Sequence, residues 1–345
     1  GGIGIIVMSV AILPMLRIGG MQLFRTESSD RSDKVLPRIA QVASGVGFTY
    51  LGLTAVCALL LWAVGLKGFD AIAHAMTTIA TGGFSTRDAS VGAFLNPMAE
   101  VIITGFMVLG ALPFVLYLQA VRGKPMTLLR DAQVRWFLAI VTLCILAVAV
   151  AHEFNNEIGF GRALRESAFN TVSIMTGTGF TSANYAGWGG FSTGVFFFIM
   201  FIGGCAGSTT CSIKIFRFLV LYETAAAQMK RLIRPHGVFV AKFNGQPISD
   251  DVESSVMSFF FLFAVCFAAL SMALHFIGLD FVTAISGAAT AICNVGPALG
   301  DIIGPTGNFS TLPDSAKWVL SFGMLLGRLE LFTVLVLFAP WFWRS

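Results

Sequence analysis

The chain alternates long apolar runs with short polar connections. Predominantly hydrophobic stretches near 39–64, 94–120, 136–151, 188–221, 256–277 and 316–343 read as helices that cross a bilayer. Between the members of each pair lies a shorter apolar segment that ends on glycine. Written in register, the three are DAIAHAMTTIATGGF from Asp70, ESAFNTVSIMTGTGF from Glu166 and TAISGAATAICNVGP from Thr283. Gly83, Gly179 and Gly296 then coincide, 96 and 117 residues apart. Thr77, Ser173 and Thr290 coincide as well, as do Phe84, Phe180 and Pro297. Each segment opens on an acidic or hydroxyl residue suited to a helix start, and is too short to span. The predicted unit is therefore span, half-length helix, glycine loop, span, and it recurs in register.

The first residues, Gly1 to Leu16, are apolar from the outset and read as the second span of an earlier unit whose beginning is missing. The expected organisation is residues 1–36 as that partial unit with its loop, then complete units at 37–124, 125–245 and 246–345. The third of these four segments carries an interrupted second span and a long basic connection.

Composition agrees with a multi-pass membrane protein. Of 345 residues 56% are hydrophobic and 12% charged, with mean hydropathy +0.82, whereas soluble domains are about one-quarter charged. The six cysteines sit mostly in apolar runs without metal-ligand spacing and read as small packing residues. A net charge of +4 makes no case for nucleic acid, because the basic residues cluster in loops beside the spans. Sixteen of the 22 Lys and Arg fall in the connections between units or at the chain end, and five on the side of the glycine loops. The rule that positive loops stay inside places the connections in the cytoplasm and brings the glycine loops in from outside. Every unit has the same orientation, so the repeats are parallel about an axis along the membrane normal. The remaining basic residue, Arg328, lies within the last span.

A single glycine loop is most simply a tight turn. Three in register, each after a half-length helix, suggest an ion path. Helices that enter and stop point the negative ends of their dipoles at the bilayer centre, which favours a cation. Loop carbonyls can replace its hydration shell. The loops carry no carboxylate up to the glycine, which disfavours a divalent ion and fits a monovalent one of potassium size. Gly203, Gly204, Cys205, Ala206, Gly207, Ser208, Thr209 and Thr210 interrupt the second span of the 125–245 unit. Eight small residues in a row either pack helices closely or unwind one, and unwinding is the reading favoured here. Lys214 beyond them is expected to snorkel to the cytoplasmic face. A charge such as Arg328 at mid-membrane costs about 2.5–3.5 kcal/mol and points to a cavity; a structural pairing with Glu330 is the alternative. His74 is expected to pack or hydrogen-bond rather than relay protons. The sequence offers no nucleophile–base set or metal spacing for an intramembrane enzyme.

The strings GGFST, TGTGFTSANY, CNVGP, GGCAGSTTCSIK and GRLELFTVLVLF, in this order, resemble the TrkH family, the membrane subunit of the bacterial Trk potassium-uptake system within the Trk, Ktr and plant HKT superfamily. The resemblance covers essentially the whole chain. It implies an all-α polytopic fold of repeated M1–P–M2 units around a pseudo-fourfold pore in the bacterial inner membrane, with K+ as the transported ion and lipid around it. By motif, the selectivity filter would comprise Thr81, Gly82 and Gly83; Thr176, Gly177, Thr178 and Gly179; and Cys293, Asn294, Val295 and Gly296. Gly203 to Thr210 would be an intramembrane gate, and Arg328 an electrostatic barrier under the filter. The third loop, with Asn294 and Pro297, departs from the pattern, and such asymmetry would relax selectivity. The resemblance also implies a homodimer and a cytoplasmic nucleotide-binding partner, TrkA, for which Arg217 to Lys242 would be the docking surface. A proton- or sodium-coupled potassium symporter of the same fold is the alternative.

Overall fold

The computed structural model describes residues 36–329 and 331–343, with side chains from residue 43 except 341. The stretch Gly1 to Leu16, the basic residues Arg17 to Lys34, Glu330 and Arg344 lie outside them. The described chain is built of helices joined by loops, with one short hairpin as its β-sheet.

The first complete unit begins with α1 (Leu36–Ala63) and the half-length α2 (Gly68–Ile79). Then come α3 (Pro97–Gly110), α4 (Phe114–Val121) and the short α5 (Met126–Arg130). α3 starts where Asn96 Oδ1 accepts from the amides of Met98 and Ala99, with Pro97 at the first helical position, where no amide is needed. The expected single span at 94–120 is instead broken. α3 and α4 meet at 93° across Ala111-Leu112-Pro113, because Pro113 has no amide to continue the ladder.

The second unit has α6 (Ala132–Asn156), α7 (Phe160–Met175), α8 (Gly190–Ile199) and α9 (Ile215–Ile233). Asp131 caps α6 through the amides of Gln133 and Val134. Glu166 was expected to open the half-length helix, yet α7 starts a turn and a half earlier, at Phe160. Glu166 stands inside it, pairing with Arg162 and with His152 of α6. Between α8 and α9 the chain is non-helical from Met200 to Lys214, wider than the eight small residues alone.

A two-residue hairpin follows, β1 (Lys242–Phe243) antiparallel to β2 (Gln246–Pro247). The last unit comprises α10 (Asp250–Phe276), α11 (Phe281–Cys293), α12 (Gly300–Ile303), α13 (Asp314–Arg328) and α14 (Leu331–Val336). Asp280 caps α11, and hydrogen bonds from Thr283 hold its carboxyl below the ordinary carboxylate range. The expected last span at 316–343 is thus interrupted after Arg328.

Each half-length helix is wrapped by the spans of its own unit: α2 by α1 and α3, α7 by α6 and α8, α11 by α10 and α13. α7 also packs on α3 of the preceding unit. It is the central pillar. Phe169, Val172 and Met175 join the core around α1 to α3 and α6, while Ile174 joins the core around α8, α10, α11 and α13. The outer faces are different. Only 17%, 28% and 28% of the most apolar windows of α1, α6 and α10 is buried, leaving Phe48, Trp62, Leu143, Phe261 and Phe276 bare. Helices long and apolar enough to span, with bare apolar outer faces, belong in lipid.

Candidate functional site

The three glycine loops are built by the same hydrogen bonds. The amides of Thr81, Gly177 and Asn294 donate to the carbonyls three residues back, of Thr78, Ile174 and Ala291, at 3.0, 3.0 and 3.1 Å. The next amides, of Gly82, Thr178 and Val295, reach back five residues to Thr77, Ser173 and Thr290 at 2.8, 2.9 and 3.1 Å. The side chains of those same three residues brace the loops. Thr77 Oγ1 donates to the Phe84 carbonyl at 2.9 Å and Ser173 Oγ to the Phe180 carbonyl at 2.6 Å, while Thr290 Oγ1 accepts from the Gly296 amide at 2.9 Å.

Every second residue has positive φ: Thr81 and Gly83 (+47°, +65°), Gly177 and Gly179 (+66°, +83°), Asn294 and Gly296 (+55°, +111°). Alternating hand turns successive peptide planes so that neighbouring carbonyls can share one side. Among the described residues no hydrogen bond ends on the carbonyls of Thr81 to Gly83, Thr176 to Gly179 or Asn294 to Gly296. The loops lie side by side. A Cβ on Gly83 would sit 1.8 Å from the Thr178 carbonyl oxygen, and one on Gly179 would sit 2.3 Å from that of Val295. Only glycine allows this approach. Asn294 turns its side chain away, donating from Nδ2 to the Met324 carbonyl at 3.1 Å, so this loop too offers backbone.

The stretch from Met200 to Lys214 lies against the C-terminal ends of the half-length helices. Thr209 Oγ1 donates to the Ile79 carbonyl at 3.0 Å, and Thr81 Oγ1 donates to the Thr209 carbonyl at 2.8 Å. Ser212 donates from both amide and hydroxyl to the Cys293 carbonyl, at 3.1 and 3.2 Å. A Cβ on Gly177 would be 3.1 Å from Cys211 Cβ. The stretch thus touches all three loop structures.

It is also tied to the break between α3 and α4. The Cys205 amide donates to the Ala111 carbonyl and the Thr209 amide to Gly110, while the Phe114 amide donates to the Gly207 carbonyl. Gly203 and Gly204 permit close backbone passage, with the Gly203 amide on the Ile213 carbonyl at 2.8 Å. The Ala206 amide is held by Gln133 Oε1 at 2.8 Å, and Ser208 and Thr210 join hydroxyls at 2.7 Å. Lys214, expected to snorkel, instead turns back and donates from Nζ to the carbonyl and hydroxyl of Thr210. Arg328 reaches the same stretch: Nη1 donates to Cys211 Sγ at 2.9 Å. Gly327 makes room, since a Cβ there would fall 1.8 Å from the Ile292 carbonyl oxygen.

Arg217 does not belong to an exposed basic surface. It is 4% exposed, with its guanidinium 4.0 Å from the centre of the Phe259 ring. Lys230, Arg231, Arg234 and Lys242 are exposed. Cys211, expected with the other cysteines to be a small packing residue, accepts from Arg328, and Ser212, Gln133 and the Gly110 to Pro113 break were not foreseen in the sequence. Pro113 inside an apolar run was the signal for the break; the others carry no local signature.

Lipid-exposed spans surrounding inserted half-helices, with unpaired carbonyls gathered at their ends, define an integral membrane protein built to pass a cation. The family profile TrkH, cation transport protein, matches residues 1–344, and the chain belongs to that family. It is 49% identical over 346 residues to the Trk system potassium uptake protein TrkI of Halomonas elongata, covering all of this chain and 70% of that protein. It is 40% identical to the Trk system potassium uptake protein TrkH of Vibrio parahaemolyticus, covering all of this chain and 72% of that protein. The crystal structure of the potassium transporter TrkH from that organism superposes with a TM-score of 0.87 at 38% identity, over 99% of this chain and 70% of that one.

Proposed function

We propose that the protein moves K+ across the bacterial inner membrane, with the three glycine loops as its selectivity filter. The observation that carries this reading is the threefold-repeated hydrogen-bond pattern, which leaves the loop carbonyls free beside one another. Relatives named potassium uptake proteins support the choice of ion. The units 37–124, 125–245 and 246–345 each contribute one loop, with 1–36 belonging to a further unit. Gly203 to Thr210 act as a gate beneath the filter, and Arg328 sets an electrostatic barrier beside it. The assembly is a homodimer in lipid. A cytoplasmic nucleotide-binding subunit, TrkA, docks on the exposed Lys230, Arg231, Arg234 and Lys242. Flux of K+ and Na+ into liposomes containing the protein tests the reading. Gly83→Ser and Gly179→Ser should lower K+ over Na+ discrimination; unchanged discrimination in both would rule the filter out.

A further inference from the structure

His74 lies on α2, three residues before Thr77, and is fully buried. Both ring nitrogens are engaged. Nδ1 is 2.8 Å from the Asp70 carbonyl, which can only accept, so Nδ1 carries the proton. In the neutral ring Nε2 is then an acceptor, and Ser85 Oγ at 2.8 Å is its donor. Ser85 Oγ in turn accepts from the Arg87 amide at 3.1 Å. One turn nearer the helix start, the carboxylate of Asp70 accepts from Thr86 Oγ1 at 2.5 Å and from Arg87 Nη2 at 3.0 Å. With Thr77 on the Phe84 carbonyl, the four residues after Gly83 are fastened one by one to α2.

The ring also reaches the neighbouring loop. It stacks on Phe180, the residue after Gly179, at 5.7 Å between centres and 23° between planes. The matching position of the second unit is Asn170. It donates to the Glu166 carbonyl at 2.8 Å, as His74 does to Asp70, and to Ser182 Oγ at 3.0 Å. At the third the residue is Gly287, and the neighbouring Ser286 takes up the amide of Leu299 instead. A polar side chain on each half-length helix therefore ties down the segment leaving the loop. Only His74 ties its own segment and stacks on the next loop's aromatic ring together.

We propose that His74, acting through Ser85 and Phe180, is a positioning residue for ion selectivity that sets the first loop against the second. This rests on the reading of the glycine loops as the filter. Loops that touch through Gly83 and the Thr178 carbonyl keep their spacing only if both exits are fixed. Losing the Ser85 bond loosens the first exit, while Phe84, Thr86 and Arg87 stay tied to α2, and the slack lets the carbonyls close on a smaller ion.

The test is the K+ over Na+ flux ratio in liposomes, read beside the melting temperature of each variant, with Gly179→Ser as reference. His74→Leu and Ser85→Ala should each lower the ratio about fivefold, the factor corresponding to one hydrogen bond. The double variant should lose little more than either single one, because both remove the same bond. His74→Gln, whose carbonyl can still accept from Ser85, should stay nearer the parent. Ser85→Ala changes a partly exposed residue and keeps the test valid if His74→Leu fails to fold. Parental ratios in Ser85→Ala and His74→Leu while Gly179→Ser lowers its own would overturn the role of His74 alone. A lower melting temperature with the ratio intact would overturn it equally, as a purely structural contribution. A parental ratio in Gly179→Ser as well would remove the filter reading and this inference with it.

Discussion

Arg328 and Cys211 join the last span to the irregular stretch beneath the loops: the guanidinium donates from Nη1 to the thiol sulfur at 2.9 Å. The two features are one structure. Cys211 lies beside Gly177 of the second loop, and Gly327 lets α13 close on the end of α11. A fixed positive charge is thus held beside the C-terminal ends of two half-length helices.

If this charge opposes a passing cation, Arg328→Ala should raise K+ flux per inserted molecule. Two like charges about 4 Å apart at an effective dielectric near 20 repel by about 4 kcal/mol, an upper guide once water screens them. Arg328→Lys should stay closer to the parent. Cys211→Ala releases the guanidinium without removing its charge, so its effect should be smaller than that of Arg328→Ala. Lower flux with lower thermal stability in Arg328→Ala would make the arginine structural.

The glycines should not be equal. A Cβ on Gly83 or Gly179 meets backbone oxygen at 1.8 or 2.3 Å, which no rotamer relieves. At Gly296 the nearest atom is Gly179 Cα at 3.8 Å, and the obstacle is φ of +111° alone. Gly83→Ala and Gly179→Ala should therefore abolish most K+ over Na+ discrimination. Gly296→Ala, carrying backbone strain of about 1–3 kcal/mol, should lose less. Relative permeabilities from reversal potentials would rank them; a Gly296 variant worse than the other two contradicts the geometry.

What the sequence made legible was what repeats. Aligning the glycines also aligned Thr77, Ser173 and Thr290, and in the structure these residues brace their loops, because a hydroxyl one turn from a helix end reaches the chain that doubles back. What it hid depends on neighbours distant in sequence. Glu166 looks like a helix start by composition, but Arg162 and His152 satisfy it inside α7. Arg217 counts as a loop charge until Phe259 of α10 covers it. Lys214 has the length to snorkel, and the carbonyl of Thr210 captures it first. The bend at Pro113 was visible as a proline, but its purpose was not: it turns the carbonyls of Gly110 and Ala111 toward the amides of Thr209 and Cys205.

Gln133 offers a mild way to loosen the stretch beneath the loops. It is buried on α6 and its Oε1 holds the Ala206 amide at 2.8 Å. Gln133→Leu keeps the volume and leaves that amide unpaired, at a cost of about 1–3 kcal/mol. If the stretch blocks the path, freeing it should raise K+ flux with insertion unchanged. Reduced flux in correctly inserted protein would mean that the stretch supports the pathway instead.

Asp280 predicts a pH dependence confined to acid. Its carboxylate accepts from the Thr283 amide at 3.1 Å and its folded-state pKa is depressed. A depressed carboxyl contributes stability that is complete above its ordinary value near 4 and is lost as pH falls through the folded value. Asp280→Ala should cost about 1 kcal/mol at neutral pH. Asp280→Asn keeps a cap without the titration. A melting temperature in detergent that falls below pH 4 equally for the parent and Asp280→Asn would show that another group is responsible.

The ion pairs around α7 set the last test, because they orient the pillar on which both cores meet. Arg165 Nε donates to Glu100 Oε2 of α3 at 2.9 Å and its Nη2 lies 4.0 Å from Glu166 Oε1. Arg162 and His152 also reach Glu166, at 2.6 and 3.3 Å. The side chains of Glu100 and Glu166 are each only 10% exposed, whereas that of Arg165 is 29% exposed and partly screened. Arg165→Leu strands Glu100, while Glu166 keeps two partners. The loss should be about 3 kcal/mol, the low end for breaking a buried pair. Glu100→Gln with Arg165→Leu removes both charges and should recover part of it. Arg162→Leu, whose side chain is 65% exposed, should cost under about 1 kcal/mol. Thermal unfolding of the purified protein measures all three. A larger loss at Arg162 than at Arg165 would show that the contact between α3 and α7 is not what holds the pillar.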